Sequence, residues 1–203
     1  NKRVQYQESY SIQALMQIFR KICEAVAYAH SKGVIHLDIK PDNVQISNYG
    51  EVLLCDWGLG KITNRDIDAE ESLIDMDALD SSEIHTMTRN DRIKGTPGFM
   101  APEQVKVKNS VRDERTDIYS LGALLYSLLT YEIPIDGRNT TDQLRRTVRG
   151  KIIAPRKRNK KVNIPASLEA VCLKAMARLP ENRYQDVEEM IDEVDSWQSG
   201  FAT

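Results

Sequence analysis

"HLDIKPDN", residues 36–43, sets an acid, a base and an amide around one proline, at Asp38, Lys40 and Asn43. Its flanks decide how it is read. Upstream, Ile12, Leu15, Met16, Phe19, Ile22, Cys23 and Val26 recur at spacings of three and four. Ser11 stands where an N-cap belongs and Gly33 where a helix stops. That pattern predicts an amphipathic helix over about 11–31. Downstream, VQIS (44–47) and VLLC (52–55) are short β-type runs around Asn48-Tyr49-Gly50, which predicts a hairpin. The octapeptide is therefore a loop from helix to strand, and DWG (56–58) leaves the second strand.

The rest of the chain bounds the class. Its 203 residues suffice for one domain with a sizeable core. A hydrophobic content of 41% and a charged content of 29% are those of a soluble globular domain. The formal net charge of −2 argues against a nucleic-acid or membrane partner. No apolar run is long enough for a membrane span and no signal peptide is visible at NKRVQYQESY. The three cysteines, Cys23, Cys55 and Cys172, lie far apart, as expected of reduced cytoplasmic thiols.

Residues 62–94 show no period, and the eight acids and no base between Asp66 and Glu83 predict a long acidic loop. DIYSLGALLYSLLT (117–130) is apolar almost all round, which predicts a helix at the centre of the domain. A short basic helix is expected at 141–149, inside a region where Arg145–Lys161 carries nine bases and no acid. Further helices are expected at 164–177 and 185–197, separated by RLPENR.

Asn43 and Asp56, an amide and a carboxylate at the end of a hairpin, make a hard oxygen site suited to Mg²⁺. A lone aspartate and a lysine beside such a metal suit phosphoryl transfer, which needs positioning and charge neutralisation more than covalent chemistry. The plainer alternative for Asp38 alone is a polar loop capping a hairpin.

The chain resembles the C-terminal lobe of a bacterial Hanks-type Ser/Thr protein kinase over nearly its whole length. HLDIKPDN is similar to the catalytic loop and DWG to the metal-binding D-F-G. GTPGFMAPE (95–103) is similar to the end of the activation segment, residues 117–130 to the central helix and RLPENRYQD (178–186) to the arginine turn. The resemblance implies a mainly α fold with a small β-hairpin, protein-kinase-like and limited to the C-terminal lobe. The lobe is expected to fill residues 1–203, with an activation segment at 56–103. The implied cofactors are ATP and Mg²⁺, with Mn²⁺ as the alternative ion. The implied partners are proteins bearing Ser or Thr and a small N-terminal lobe. Asp38 is implied to accept the substrate proton, Lys40 to neutralise the γ-phosphate, and Asn43 and Asp56 to hold the metal. Lys40, Gln45, Cys55 and Asp56 are implied to line the nucleotide site, and Thr96 to bond near the catalytic loop and help select Ser/Thr acceptors. Structural roles are implied for His36, for a buried Glu103–Arg183 pair and for Asp117 bracing the loop. His30 and His85 show no partner pattern.

Four departures accompany the resemblance. No G-x-G-x-x-G loop or V-A-I-K-type lysine is found, and only 35 residues precede His36, so the small lobe is expected to be missing and the isolated chain inactive. Leu37 stands where most such loops carry Arg, so a phosphate on Thr86 or Thr88 finds no cation there. Gln45 is polar where an apolar floor under adenine is usual, and Trp57 replaces Phe as an apolar plug. Leu37 and Gln45 favour the alternative of a pseudokinase or scaffold that binds proteins without catalysis.

Overall fold

The computed structural model describes residues 10–62, 95–105 and 111–200. Helix α1 (Ile12–Ser31) buries Leu15, Met16, Phe19, Ile22, Cys23 and Val26, the stripe that its spacing predicts. Ser11 Oγ accepts the Ala14 N–H at 3.2 Å, and Gly33, at φ +69°, turns the chain out of the helix. Strand β1 (Val34–Ile35) follows, then the octapeptide 36–43, which ends in a single 3₁₀ turn at Pro41–Asn43.

Strands β2 (Val44–Ile46) and β3 (Val52–Leu54) form the expected hairpin, with Val44 opposite Leu54 and Gln45 opposite Leu53. Val44, Val52 and Leu54 pack on the helical core. Side chains alternate along a strand, so Gln45 and Leu53 share the opposite, exposed face. A fourth strand, β4 (Lys61–Ile62), pairs antiparallel with β1. The GLGK run makes this return possible: a Cβ on Gly60 would stand 3.0 Å from the Trp57 carbonyl oxygen and 3.2 Å from that of Ile35.

The remaining elements are helical: α2 (Pro102–Val105), α3 (Glu114–Thr130), α4 (Thr140–Val148), α5 (Pro155–Arg158), α6 (Ala166–Ala175) and α7 (Val187–Gln198). Helix α3 is buried nearly all round. It meets α6 at Gly122, where a Cβ would lie 2.8 Å from both Ala175 Cβ and Met176 Cγ, so only glycine allows this approach. Helix α1 closes the other side, against α3 and α7. The central helix starts at Glu114, about one turn before the expected 117, because Asp113 accepts the Arg115 N–H as N-cap ahead of the apolar run.

No helix among the described residues is long and apolar enough to cross a membrane. The acidic stretch 66–83, His85, Thr86 and Thr88 lie outside the described residues. The basic stretch 145–161 is not a bare cationic face: Arg146 pairs with Asp136 and Asp142, and Arg158 with Asp136.

Tyr119 illustrates a polar group that the core tolerates. Its ring lies under the Arg183 guanidinium, 5.0 Å from Cζ, but its buried hydroxyl has no hydrogen-bond partner among the described residues. An unpaired buried hydroxyl costs ~1–3 kcal/mol, and phenylalanine keeps the ring without it. Tyr119→Phe is therefore expected to leave the melting temperature unchanged or raise it by a few degrees. Calorimetry showing a fall of ten degrees or so would mean that the hydroxyl is paired.

Candidate active site

The loop 36–43 has little backbone ladder to hold it, so side chains hold it instead. Asp117, fully buried on α3, accepts the His36 N–H at 2.7 Å and the Leu37 N–H at 2.8 Å. His36 Nδ1 faces the Asp38 N–H at 3.3 Å, and Nε2 lies 3.1 Å from the Cys55 carbonyl. A carbonyl only accepts, so both contacts are satisfied together by the neutral Nε2–H tautomer. His36 thus ties the loop to the strand that precedes Asp56. Asn43 Nδ2 donates to the Asp38 carbonyl at 2.8 Å, and the Asn43 carbonyl accepts from Cys55 N–H at 2.8 Å.

These bonds hold a backbone that is not relaxed. Leu37 is buried at φ +65° and Asp56 is exposed at φ +62°. The left-handed region costs a residue with a Cβ roughly 1–2 kcal/mol. Such conformations persist where neighbours over-determine them and cluster at active sites.

Asp38 sits at the centre of a closed ring. Its Oδ2 accepts from Lys40 Nζ at 2.7 Å and its Oδ1 from Thr96 Oγ1 at 2.8 Å. Lys40 Nζ also donates to Thr96 Oγ1, at 2.7 Å. The hydroxyl thus spends its one proton on Asp38 and accepts from Lys40. The ammonium has three protons and uses two here. The third proton is left for a further acceptor, and the carboxylate retains lone pairs for a further donor. Asp38 is 8% exposed, so its carboxylate reaches the surface while little solvent weakens its pair with Lys40.

Two candidate oxygen donors, Asn43 and Asp56, flank the β2–β3 hairpin. With Asn43 Nδ2 committed to a carbonyl, its Oδ1 is left as a hard donor with no partner among the described residues. The Asp56 carboxylate likewise has none. A Cβ at Gly58 would stand 3.2 Å from Asp56 Oδ1, so the glycine keeps that space open. The two oxygens leave adjacent ends of one hairpin, and their chemistry fits Mg²⁺.

The family model described as "Protein kinase domain" matches residues 1–194. The chain belongs to the protein kinase family. Among similar proteins, a serine/threonine-protein kinase PknD of Protochlamydia amoebophila is 40% identical over 191 residues, covering 94% of this chain and 19% of the relative. The PknD of Chlamydia felis is 36% identical over 194 residues, covering 95% and 20%. The chain thus spans about a fifth of the length of the curated relatives it matches.

In this kinase chain the expected site residues divide into three groups. Asp38, Lys40, Asn43 and Thr96 are joined by direct hydrogen bonds, with His36, Asp117 and the backbone of Cys55 behind them. Glu103 and Arg183 form their own buried pair, at 2.6 and 2.8 Å, apart from that ring. Gln45 stands exposed on the hairpin, opposite Leu53, and makes no hydrogen bond with the ring. Trp57 is no buried plug here: it is 37% exposed, donates Nε1–H to the Leu54 carbonyl at 3.0 Å and leans on the His36 ring at 4.5 Å.

Two contributors escaped sequence reasoning. His30 does have a partner, since its Nε2 lies 2.9 Å from Asp117 Oδ2. The signal was its place in the last turn of a helix that delivers the loop. Gln104, buried beside Glu103, donates Nε2–H to the Leu37 carbonyl at 2.7 Å. Nothing in its spacing distinguishes it.

Proposed function

We propose that this chain is the catalytic and substrate-binding lobe, the C-terminal lobe, of a longer Ser/Thr protein kinase that transfers the γ-phosphate of ATP to protein hydroxyls. The Asp38–Lys40–Thr96 ring carries the reading. Asp38 orients the acceptor hydroxyl and takes its proton as the new O–P bond forms and the bond from the γ-phosphorus to the departing ADP breaks. Lys40, pinned by Asp38 and Thr96, directs its remaining N–H at the transferred phosphate. Thr96 sets the spacing of the two and shapes the mouth for a Ser or Thr acceptor. Asn43 and Asp56 would hold Mg²⁺, with Mn²⁺ as the alternative. Bound there, the ion supplies neutralisation of phosphate charge. Cys55 and Gln45 stand on the hairpin that faces the nucleotide.

A second surface supports a missing lobe. Leu53, Trp57 and Ile62 expose 57%, 37% and 49% of their area. Exposed apolar side chains such as these, on β3, the turn after it and β4, suit a covered face. We assign that cover to a small N-terminal lobe carrying the rest of the ATP cradle. The free thiols, two of them fully buried, fit a cytoplasmic, reducing compartment. One observation favours the scaffold reading instead, the polar and exposed Gln45 where adenine would rest.

The test compares the longer protein with the isolated 203-residue chain under Mg²⁺ and ATP, by mass spectrometry of phosphoserine and phosphothreonine. The longer protein is expected to transfer phosphate. The isolated chain is expected to fall short by several factors of ~10²–10³, one for each missing electrostatic group. Turnover by the isolated chain equal to that of the longer protein would refute the two-lobe reading. Silence of both would leave the scaffold.

A further inference from the structure

We infer that Gln104 is a positioning residue for Asp38, and that through it the end of the activation segment sets the catalytic loop; this rests on the kinase reading above. Gln104 is 2% exposed and is gripped at both ends of its amide. Oε1 accepts the Ala101 N–H at 2.9 Å, while the Gln104 N–H returns to the Ala101 carbonyl at 3.0 Å. An N–H can be met only by an oxygen, so Nε2 must face the other way. There it donates to the Leu37 carbonyl at 2.7 Å. Gly95, at φ +126°, leaves space for it, since a Cβ there would stand 3.4 Å from Nε2 and 3.0 Å from Met100 Cγ. These two bonds fix the side chain in one orientation.

What it holds is the peptide that carries Asp38. Leu37 is in the left-handed region, and its own N–H is held by Asp117 from the α3 side. Its carbonyl is held by Gln104 from the α2 side. Strain at Leu37 is contained between these two grips. Without the Gln104 donor, the Leu37–Asp38 peptide can rotate towards a relaxed conformation, and the Asp38 side chain turns with it. The Lys40 and Thr96 bonds then act on a carboxylate that is out of line with its substrate. Leu37 offers no cation through which a loop phosphate could do the same work. In this chain the segment and the loop are joined by the neutral bond from Gln104 to Leu37 and by Thr96, which donates to the Asp38 carboxylate and accepts from the Lys40 ammonium.

The experiment uses the longer protein. Gln104→Glu keeps an acceptor for the Ala101 N–H and removes the donor to Leu37. Gln104→Met removes both. A core variant on α7, Val194→Ala, serves as the stability control. Expected for Gln104→Glu is a ~10–100-fold fall in kcat, the scale of a small misplacement at a reacting group. The KM for ATP should stay within about twofold, and amides 36–40 should exchange faster with deuterium. Gln104→Met should do the same. Active wild type with kcat unchanged in both variants overturns the inference and leaves the kinase reading standing. So does a fall no larger than that of Val194→Ala at equal loss of melting temperature, or failure of both variants to fold, since Gln104 is then structural. Inactive wild type overturns the kinase reading, and the inference with it.

Discussion

Asp38→Asn in the longer protein is expected to lower kcat by ~10²–10⁴ with little loss of stability, the range for removing a general base. The ring explains why the two effects separate. An asparagine can turn Oδ1 to the Lys40 ammonium and Nδ2 to the Thr96 hydroxyl, which has a lone pair to accept it. The backbone bonds of residue 38, to His36 Nδ1 and Asn43 Nδ2, do not depend on the side chain. The fold therefore keeps its contacts, while the amide cannot take a proton at neutral pH. The charge partner of Lys40 is also lost, so its ammonium is held less firmly. Initial-rate measurements at saturating ATP, with melting curves of both proteins, check this. A kcat within tenfold of wild type, about 1.4 kcal/mol of barrier, would remove Asp38 from the chemistry.

Arg183→Ala is expected to act the other way, on stability first. The guanidinium is fully buried. It donates to both oxygens of Glu103, at 2.6 and 2.8 Å, and to the carbonyls of Ala177 and Arg115, each at 2.8 Å. Truncation leaves a carboxylate and two carbonyls buried without these donors. Breaking one side of a buried pair typically costs ~3–5 kcal/mol. For a domain of this size that is a fall of roughly 6–20 °C in melting temperature. Replacing both partners together, as in Glu103→Leu with Arg183→Met, should recover part of the loss, because no unpaired charge remains. Thermal unfolding of the longer protein, with protease cutting to report on this domain, measures both. A shift under about 2 °C for Arg183→Ala would show that the pair contributes nothing net.

Glu103 and Arg183 also show how much of the molecule could be read in advance. Both were expected as a pair only through their motifs, since they stand 80 residues apart. The bonds that make the site have similar spans: 81 residues from His36 to Asp117, 67 from Leu37 to Gln104 and 56 from Lys40 to Thr96. No local pattern encodes which of many buried polar side chains meets which backbone group across such distances. The His30–Asp117 and Gln104–Leu37 contacts, 87 and 67 residues apart in the chain, are of this kind.

The sequence by itself determined what is local. The stripe from Ile12 to Val26 demanded one buried face, the run from Asp117 to Thr130 demanded burial all round, and the two β-type runs about Gly50 demanded a hairpin. Each follows from the period of the backbone and the free energy of moving apolar side chains out of water. Two-residue strands and four-residue helices lie below that threshold. β1, β4, α2 and α5 are too short to show a period and exist because neighbours complete their hydrogen bonds. Tertiary structure alone decided that Leu37 is left-handed, that Gln45 faces outward with Leu53, and that one hydroxyl, Thr96, joins the acid and the base of the site. The reason is physical: a strained backbone angle and a buried polar contact are stable only where groups distant in the chain converge to hold them.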